Sequence, residues 1–204
     1  MNWLAHLFLS EQNIDFQMGN ILADPLKGRV WDDASMQMTQ AMSIHKKIDA
    51  FADAHFIIHN SKNRLKEKGL LRAVIIDLTY DYFLSKNWDF YCKIPLDNFT
   101  REFYNNARMR TRYLPSNASS FINNLIKRDV LNKYSSIELL QIAFERLDSR
   151  LSARLLKRDQ ASSYFEVVLQ NINDLERDFL EFFPLLCTEV KPFLDSNQLS
   201  HWKT

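Results

Sequence analysis

Apolar residues return every three or four positions along most of the chain, the spacing that turns one face of an α-helix toward a core. The clearest run is Phe165, Val168, Leu169, Ile172, Leu175, Phe179 and Phe182, which form one stripe and read as core. Ser163 and Glu166 stand three apart at its start and predict a capping box. Pro184 predicts a bend or an end to that helix. The interruptions are short: residues 10–13, 32–35, 60–69, 88–95, 115–119 and 133–136. No internal repeat or long linker divides the chain. The pattern therefore predicts an all-α, single-domain helical bundle over residues 1–204.

Two predicted helices carry polar groups where apolar ones belong. In the helix expected over residues 70–85, Asp77 and Asp81 lie about 40° apart on a wheel of about 100° per residue. Leu70, Ala73, Val74 and Leu84 share their arc, with Leu78 at its margin. Two carboxylates in an apolar stripe need a proton, a cation or a metal to offset their charge. Capping or pairing with a basic residue at the bundle's edge is the plainer alternative. His45 and Asp49, four apart, share an arc with Met38, Ala41, Met42, Ile48, Ala52 and Phe56. An imidazole with a carboxylate one turn on suits a metal ligand and the acid that orients or completes its site. A core histidine satisfied by its own helix would look the same. The same anomaly on two helices favours a shared site, because such stripes must face each other or a cavity.

His6 interrupts the first apolar run, and Asp24 precedes Pro25, which disfavours helical geometry there and throws the carboxylate out from a helix end. His59 falls near the wheel angle of His45 but roughly 20 Å along the axis, too far for one compact site. His55 is a weaker candidate, and His201, in the tail, is expected to be exposed to solvent.

Composition narrows the chemistry. With 46% hydrophobic and 25% charged residues the chain is globular, and three glycines and five prolines are too few for the turns of an all-β fold. The net charge of +1 says nothing about partners. Cys92 and Cys187 form no C-x-x-C pair, which suits a reducing compartment. The N-terminal apolar run ends at Ser10-Glu11, too short for a signal or a membrane span, so a cytoplasmic location is expected. No H-E-x-x-H, di-iron Glu-x-x-His, phosphate-binding glycine loop or G-x-S-x-G occurs. What remains is His and Asp, a set suited to Mn²⁺ or Mg²⁺ more than to structural zinc. Such a metal on carboxylate-bearing helices points to hydrolysis of a phosphate ester by an activated water.

Four ordered blocks resemble one known family. They are Met1-Asn2-Trp3-Leu4-Ala5-His6-Leu7, Gly19-Asn20-Ile21-Leu22-Ala23-Asp24, Ile44-His45-Lys46-Lys47-Ile48-Asp49, and Asp77-Leu78-Thr79-Tyr80-Asp81-Tyr82-Phe83-Leu84. They are similar to the motifs of the acyl carrier protein phosphodiesterases, distant relatives of the HD-domain phosphohydrolases. The resemblance implies an HD-like helical fold and a Mn²⁺-dependent reaction that splits holo-acyl carrier protein into apo-carrier and 4′-phosphopantetheine. Carried over by position, His6, Asp24, His45, Asp77 and Asp81 are expected to hold the metal. Asp49 or Asp77 would orient the water, and Lys46 or Lys47 would balance phosphoryl charge. The chain departs from the family in having lysines at 46 and 47 in place of arginines, and Tyr82 in place of a frequent histidine. The adjacent His-Asp pair of ordinary HD enzymes is also missing.

The resemblance further implies an acidic protein substrate and hence a basic docking face. Lys62, Arg64, Lys66, Lys68 and Arg72, around the single acid Glu67, are the first candidates, and Arg101, Arg108, Arg110 and Arg112 the second. Charge runs are ordinarily just solvated faces. Two other functions fit less well: an HD-type phosphohydrolase acting on a nucleotide, and a non-catalytic helical protein binding an acidic partner. The second has no use for His and Asp in apolar stripes. No recognised nucleic-acid motif is present.

Overall fold

Most of the chain is helical, as the spacing predicts, but the expected interruptions at 60–69 and 88–95 are partly helix, through Leu65 and over Trp88–Tyr91. The structure, a computed structural model, describes residues 1–66 and 68–203; Glu67 therefore lies outside the described residues. The first five helices carry the site: α1 (Trp3–Phe8), α2 (Ile14–Leu22), α3 (Met36–Ala54), α4 (Phe56–Leu65) and α5 (Arg72–Lys86). They are followed by α6 (Trp88–Tyr91), α7 (Leu96–Arg110), α8 (Ser116–Lys127), α9 (Ile137–Asp148) and α10 (Ala153–Leu156). The last two are α11 (Phe165–Gln170) and α12 (Ile172–Val190). Among the described residues there is no β-strand, only an isolated bridge between Cys92 and Trp202. Nor is any helix among them long and apolar enough to cross a membrane.

Asn13 begins α2 by accepting from the amides of Asp15 and Phe16, and Ser35 begins α3 by accepting from Met38. His55 does two jobs: its extended backbone stops α3, and its Nδ1 accepts from the Ile57 amide to start α4.

Three C-terminal expectations change. The aromatic stripe is split at Asn171, whose amide group donates to the Val167 carbonyl and closes α11 before α12 begins. The capping box does not form, because the Ser163 hydroxyl donates to the Gln160 carbonyl instead. Pro184 lies inside α12 without ending it. It faces solvent while Phe182, Phe183, Leu186 and Cys187 beside it are buried, and their packing carries the helix past the missing amide donor.

One apolar core runs through the molecule, with Phe179, Phe182 and Phe183 of α12 packed among Phe8, Tyr80 and Tyr91. Each such ring, fully buried, contributes about 1.5–3 kcal/mol. His201 is 1% exposed, against the expectation of an exposed tail. Its Nε2 and the Trp202 indole nitrogen both meet the Phe8 carbonyl, at 2.8 and 3.0 Å, and Trp202 stacks on the Phe8 ring. The tail is drawn in because it closes the open end of α1.

Two local features set the distances at the site. Gly19 lets α2 and α3 approach: a Cβ there would lie 2.6 Å from the Met38 carbonyl oxygen. Asp81 of α5 caps α1 from outside, its two oxygens accepting from the Leu4 and Ala5 amides at 2.9 and 3.1 Å. Asn2, the residue in the cap position, makes no such bond itself.

Candidate active site

The last turns of α1 and α2 meet the middle of α3 at two imidazoles. His6 and His45, 1% and 3% exposed, stack with ring centroids 3.9 Å apart. Asn20 of α2 organises both. Its amide nitrogen donates to the His6 carbonyl and to the Ser10 hydroxyl, each at 3.0 Å. Its oxygen is thereby left as an acceptor, and both histidines direct Nδ1 at it, at 3.0 and 3.2 Å. Each Nδ1 therefore carries a hydrogen, and each Nε2 is left for other work.

That other work concerns acids. Nε2 of His45 lies 3.1 Å from Asp24 and 3.0 Å from Asp49, and Nε2 of His6 lies 3.2 Å from the other oxygen of Asp49. The last contact lacks the alignment of a hydrogen bond, so His6 Nε2 is a buried atom without a partner. Asp49 is reached by the Met1 α-amino group as well, at 3.2 Å, and the same group meets Asp77 at 3.3 Å. Asp49 and Asp77 are half-buried, while Asp24 is exposed at the mouth of a cavity.

Electrostatics divides the two rings. Burial drives the His6 pKa down to about 4, with the neighbouring His45 adding to the effect against the pull of Asp49. For His45 burial works in the same direction, but Asp24 and Asp49 outweigh it and lift the pKa to about 9. Burial would raise the Asp49 pKa, yet the two imidazoles and the Met1 ammonium hold it far below the usual carboxylate range. Asp24 is lowered, chiefly by its bond with His45. Burial raises Asp77, and it raises Asp81 to about 7 against the pull of the Leu4 and Ala5 amides. Once His45 gives up its Nε2 proton, the stacked rings and Asp49 can hold a metal ion: His6, His45 and Asp49 each offer a ligand atom within 4.8 Å of the others. The unpartnered Nε2 and the tautomer imposed by Asn20 fit that use.

The chain matches a known family along nearly its whole length. The family model of acyl carrier protein phosphodiesterases aligns with residues 1–186. The chain belongs to the acyl carrier protein phosphodiesterase family. Among its relatives, the acyl carrier protein phosphodiesterase of Enterobacter sp. (strain 638) is 24% identical, covering 94% of this chain and 98% of the relative. That of Photorhabdus laumondii is 24% identical over 94% and 96%, and that of Escherichia coli O6:H1 26% over 93% and 97%. No solved structure matches the chain.

Not every candidate reaches the imidazoles. Asp24 touches His45, and Asp77 joins Asp49 only through the Met1 amino group. Asp81, expected as a ligand, has both oxygens on α1 amides and falls outside the group of three. Lys46 reaches the Gly28 carbonyl, and Lys47 lies over the Phe193 ring. The run around residue 67 is largely engaged within the fold. Lys62 pairs with Asp53, Arg64 grips Asp178 and Asp174, Lys66 bonds Ser163 and covers the Tyr164 ring, and Arg72 bonds the Lys66 carbonyl. Lys68 is exposed. Of the second run, Arg110 is tied to Asp15, Arg101 bonds Asn98 and Arg112 lies over Tyr113.

Sequence reasoning missed Asn20 as a site residue. Its signal was present, a polar side chain amid Met18, Ile21 and Leu22 on a short buried helix.

Proposed function

We propose that this chain hydrolyses the phosphodiester that joins 4′-phosphopantetheine to a serine of holo-acyl carrier protein, releasing apo-carrier and 4′-phosphopantetheine. The observation that carries this reading is the paired Nε2 atoms of His6 and His45 beside Asp49, linked through Asp24 to a cavity that Asp24 lines. We assign the metal place to His6, His45 and Asp49, with Asp24 beside it on the cavity side. Imidazole and carboxylate donors suit Mn²⁺, with Mg²⁺ as an alternative. A bound divalent cation supplies Lewis acidity and lowers the pKa of a water in its shell.

The chain's own groups do the rest. Asn20 holds both rings in the tautomer that frees Nε2. Asp24, exposed and hydrogen-bonded to His45, is placed to take a proton from the attacking water. Water oxygen bonds to phosphorus, the bond from phosphorus to the serine oxygen breaks, and the proton taken by Asp24 passes to the departing serine oxygen. The Met1 ammonium, itself paired with Asp77, holds Asp49 in place by charge. Cys92 and Cys187 are both buried and unpaired, which suits work in the reducing cytoplasm.

The test is to incubate the protein with holo-carrier and Mn²⁺ and follow the carrier by mass spectrometry. Loss of the phosphopantetheine mass is expected, and an intact holo-carrier would overturn the reading. Nucleotide phosphates in parallel tubes measure the competing phosphohydrolase activity.

A further inference from the structure

Asp24 is shared by two features: its carboxylate meets His45, and it lines a cavity of about 560 Å³. That size is ordinary for a small-ligand site. The cavity's lining is two-sided. Trp3, Val74, Leu78 and Leu147 supply apolar wall, while Arg128, Lys133, Arg146 and Arg150 supply four cations from the segment between α8 and α10.

These cations are unbalanced. None of the four has a carboxylate within ion-pair distance among the described residues, although the fold pairs Arg64, Lys86 and Arg110 closely. The acids nearest in sequence are otherwise engaged: Asp129 accepts from the Asn132 side chain, Glu145 from the Gln141 side chain, and Asp148 from the Ala161 and Ser162 amides. Lys133, half-buried, has its pKa lowered by burial and then by Arg146, with Arg128 and Arg150 adding and Asp129 opposing. The Asn2 amide nitrogen, on the same lining, is buried without a partner. Like charges gathered on one concave surface call for an anion.

We propose that this cavity seats the substrate's arm, with Lys133, Arg128, Arg146 and Arg150 binding its phosphate and the apolar wall taking its uncharged chain. The site would thus select a phosphate joined to a neutral, partly apolar tail. Guanidinium groups suit such an oxyanion, since each can grip two of its oxygens. This inference rests on the phosphodiesterase reading for the identity of the arm, though not for the anion.

The test measures binding, apart from turnover. The full chain is titrated calorimetrically with 4′-phosphopantetheine and with unphosphorylated pantetheine, in EDTA so that no metal contributes. Phosphopantetheine is expected to bind at least ten-fold more tightly than pantetheine. Lys133→Gln and Arg146→Gln, singly and together, should remove most of that advantage and leave pantetheine binding as it was. Arg150→Gln, at an exposed position, gives the same readout should Lys133→Gln fail to fold. Equal affinities for the two ligands, or variants that bind phosphopantetheine like the parent, would overturn the proposal. So would variants that keep phosphopantetheine affinity and lose only KM for holo-carrier, since the cations would then face the protein part of the substrate. A parent that binds phosphopantetheine through these charges yet never cleaves holo-carrier would sink the catalytic reading and leave the anion site standing.

Discussion

His6 and His45 stack at 3.9 Å and both turn Nδ1 toward one atom, the side-chain oxygen of Asn20. A single amide, held by the Ser10 hydroxyl and the His6 carbonyl, thus sets the tautomer of two rings from two helices. The consequence is that both Nε2 atoms are reserved for the side of Asp49.

Asn20→Ala should therefore weaken the metal place without touching a ligand. Removing an outer partner of a ligating histidine typically costs about 10–100-fold in metal affinity. Titration of the variant with Mn²⁺ checks this, and an unchanged dissociation constant would remove Asn20 from the site.

Activity on holo-carrier should vanish in EDTA and return with Mn²⁺. His45→Ala and Asp24→Ala should each lower turnover by roughly a hundred-fold or more, since both touch the proposed centre. Circular dichroism should show the helices of Asp24→Ala intact, because that change takes away an exposed side chain. Full turnover in EDTA would contradict the metal assignment.

Asp81→Ala should act differently, as a loss of stability. It strips two buried amides of α1 of their acceptor, at a cost of about 2 kcal/mol. Urea denaturation measures that cost. A variant as stable as the parent but inactive would return Asp81 to the ligand set.

Gly19→Ala should disturb the α2–α3 seam. The added methyl meets the Met38 carbonyl oxygen at 2.6 Å, which is backbone and must shift. Overpacking of this kind costs about 1–3 kcal/mol, and the shift should carry Asn20 with it. The expected result is a lower melting temperature together with weaker Mn²⁺ binding.

Acid should weaken the fold through Asp15. Its carboxylate takes the Arg110 guanidinium with both oxygens, and this pairing holds its pKa below the ordinary value. The unfolded chain therefore binds the proton first. The pair's contribution is present above the ordinary carboxylate pKa and is lost as pH falls through the lower folded value. About 1 kcal/mol is expected for a partly buried charge-assisted pair. Unfolding midpoints compared between pH 6 and pH 3 should fall less in Arg110→Gln than in the parent.

Much of the local structure was legible in the residues. The return of apolar positions placed α3, α5 and α12, since a helix buries one face whatever it packs against. His45 and Asp49 could be paired on paper because residues four apart share a helical face, and they do meet at 3.0 Å. The blocks around His6, Asp24 and His45 carried the family. Periodicity reports that a face is covered, and it leaves open by what. Asp81 looked like a ligand because a buried acid needs a partner, and only the tertiary fold supplies that partner as the end of α1. Arg64 looked like part of a docking face until α12 brought Asp178 and Asp174 against it. The four cavity cations are scattered between residues 128 and 150 on separate elements, so no run announces them. His201 is buried against expectation because long-range packing sets its surroundings and its sequence neighbours do not.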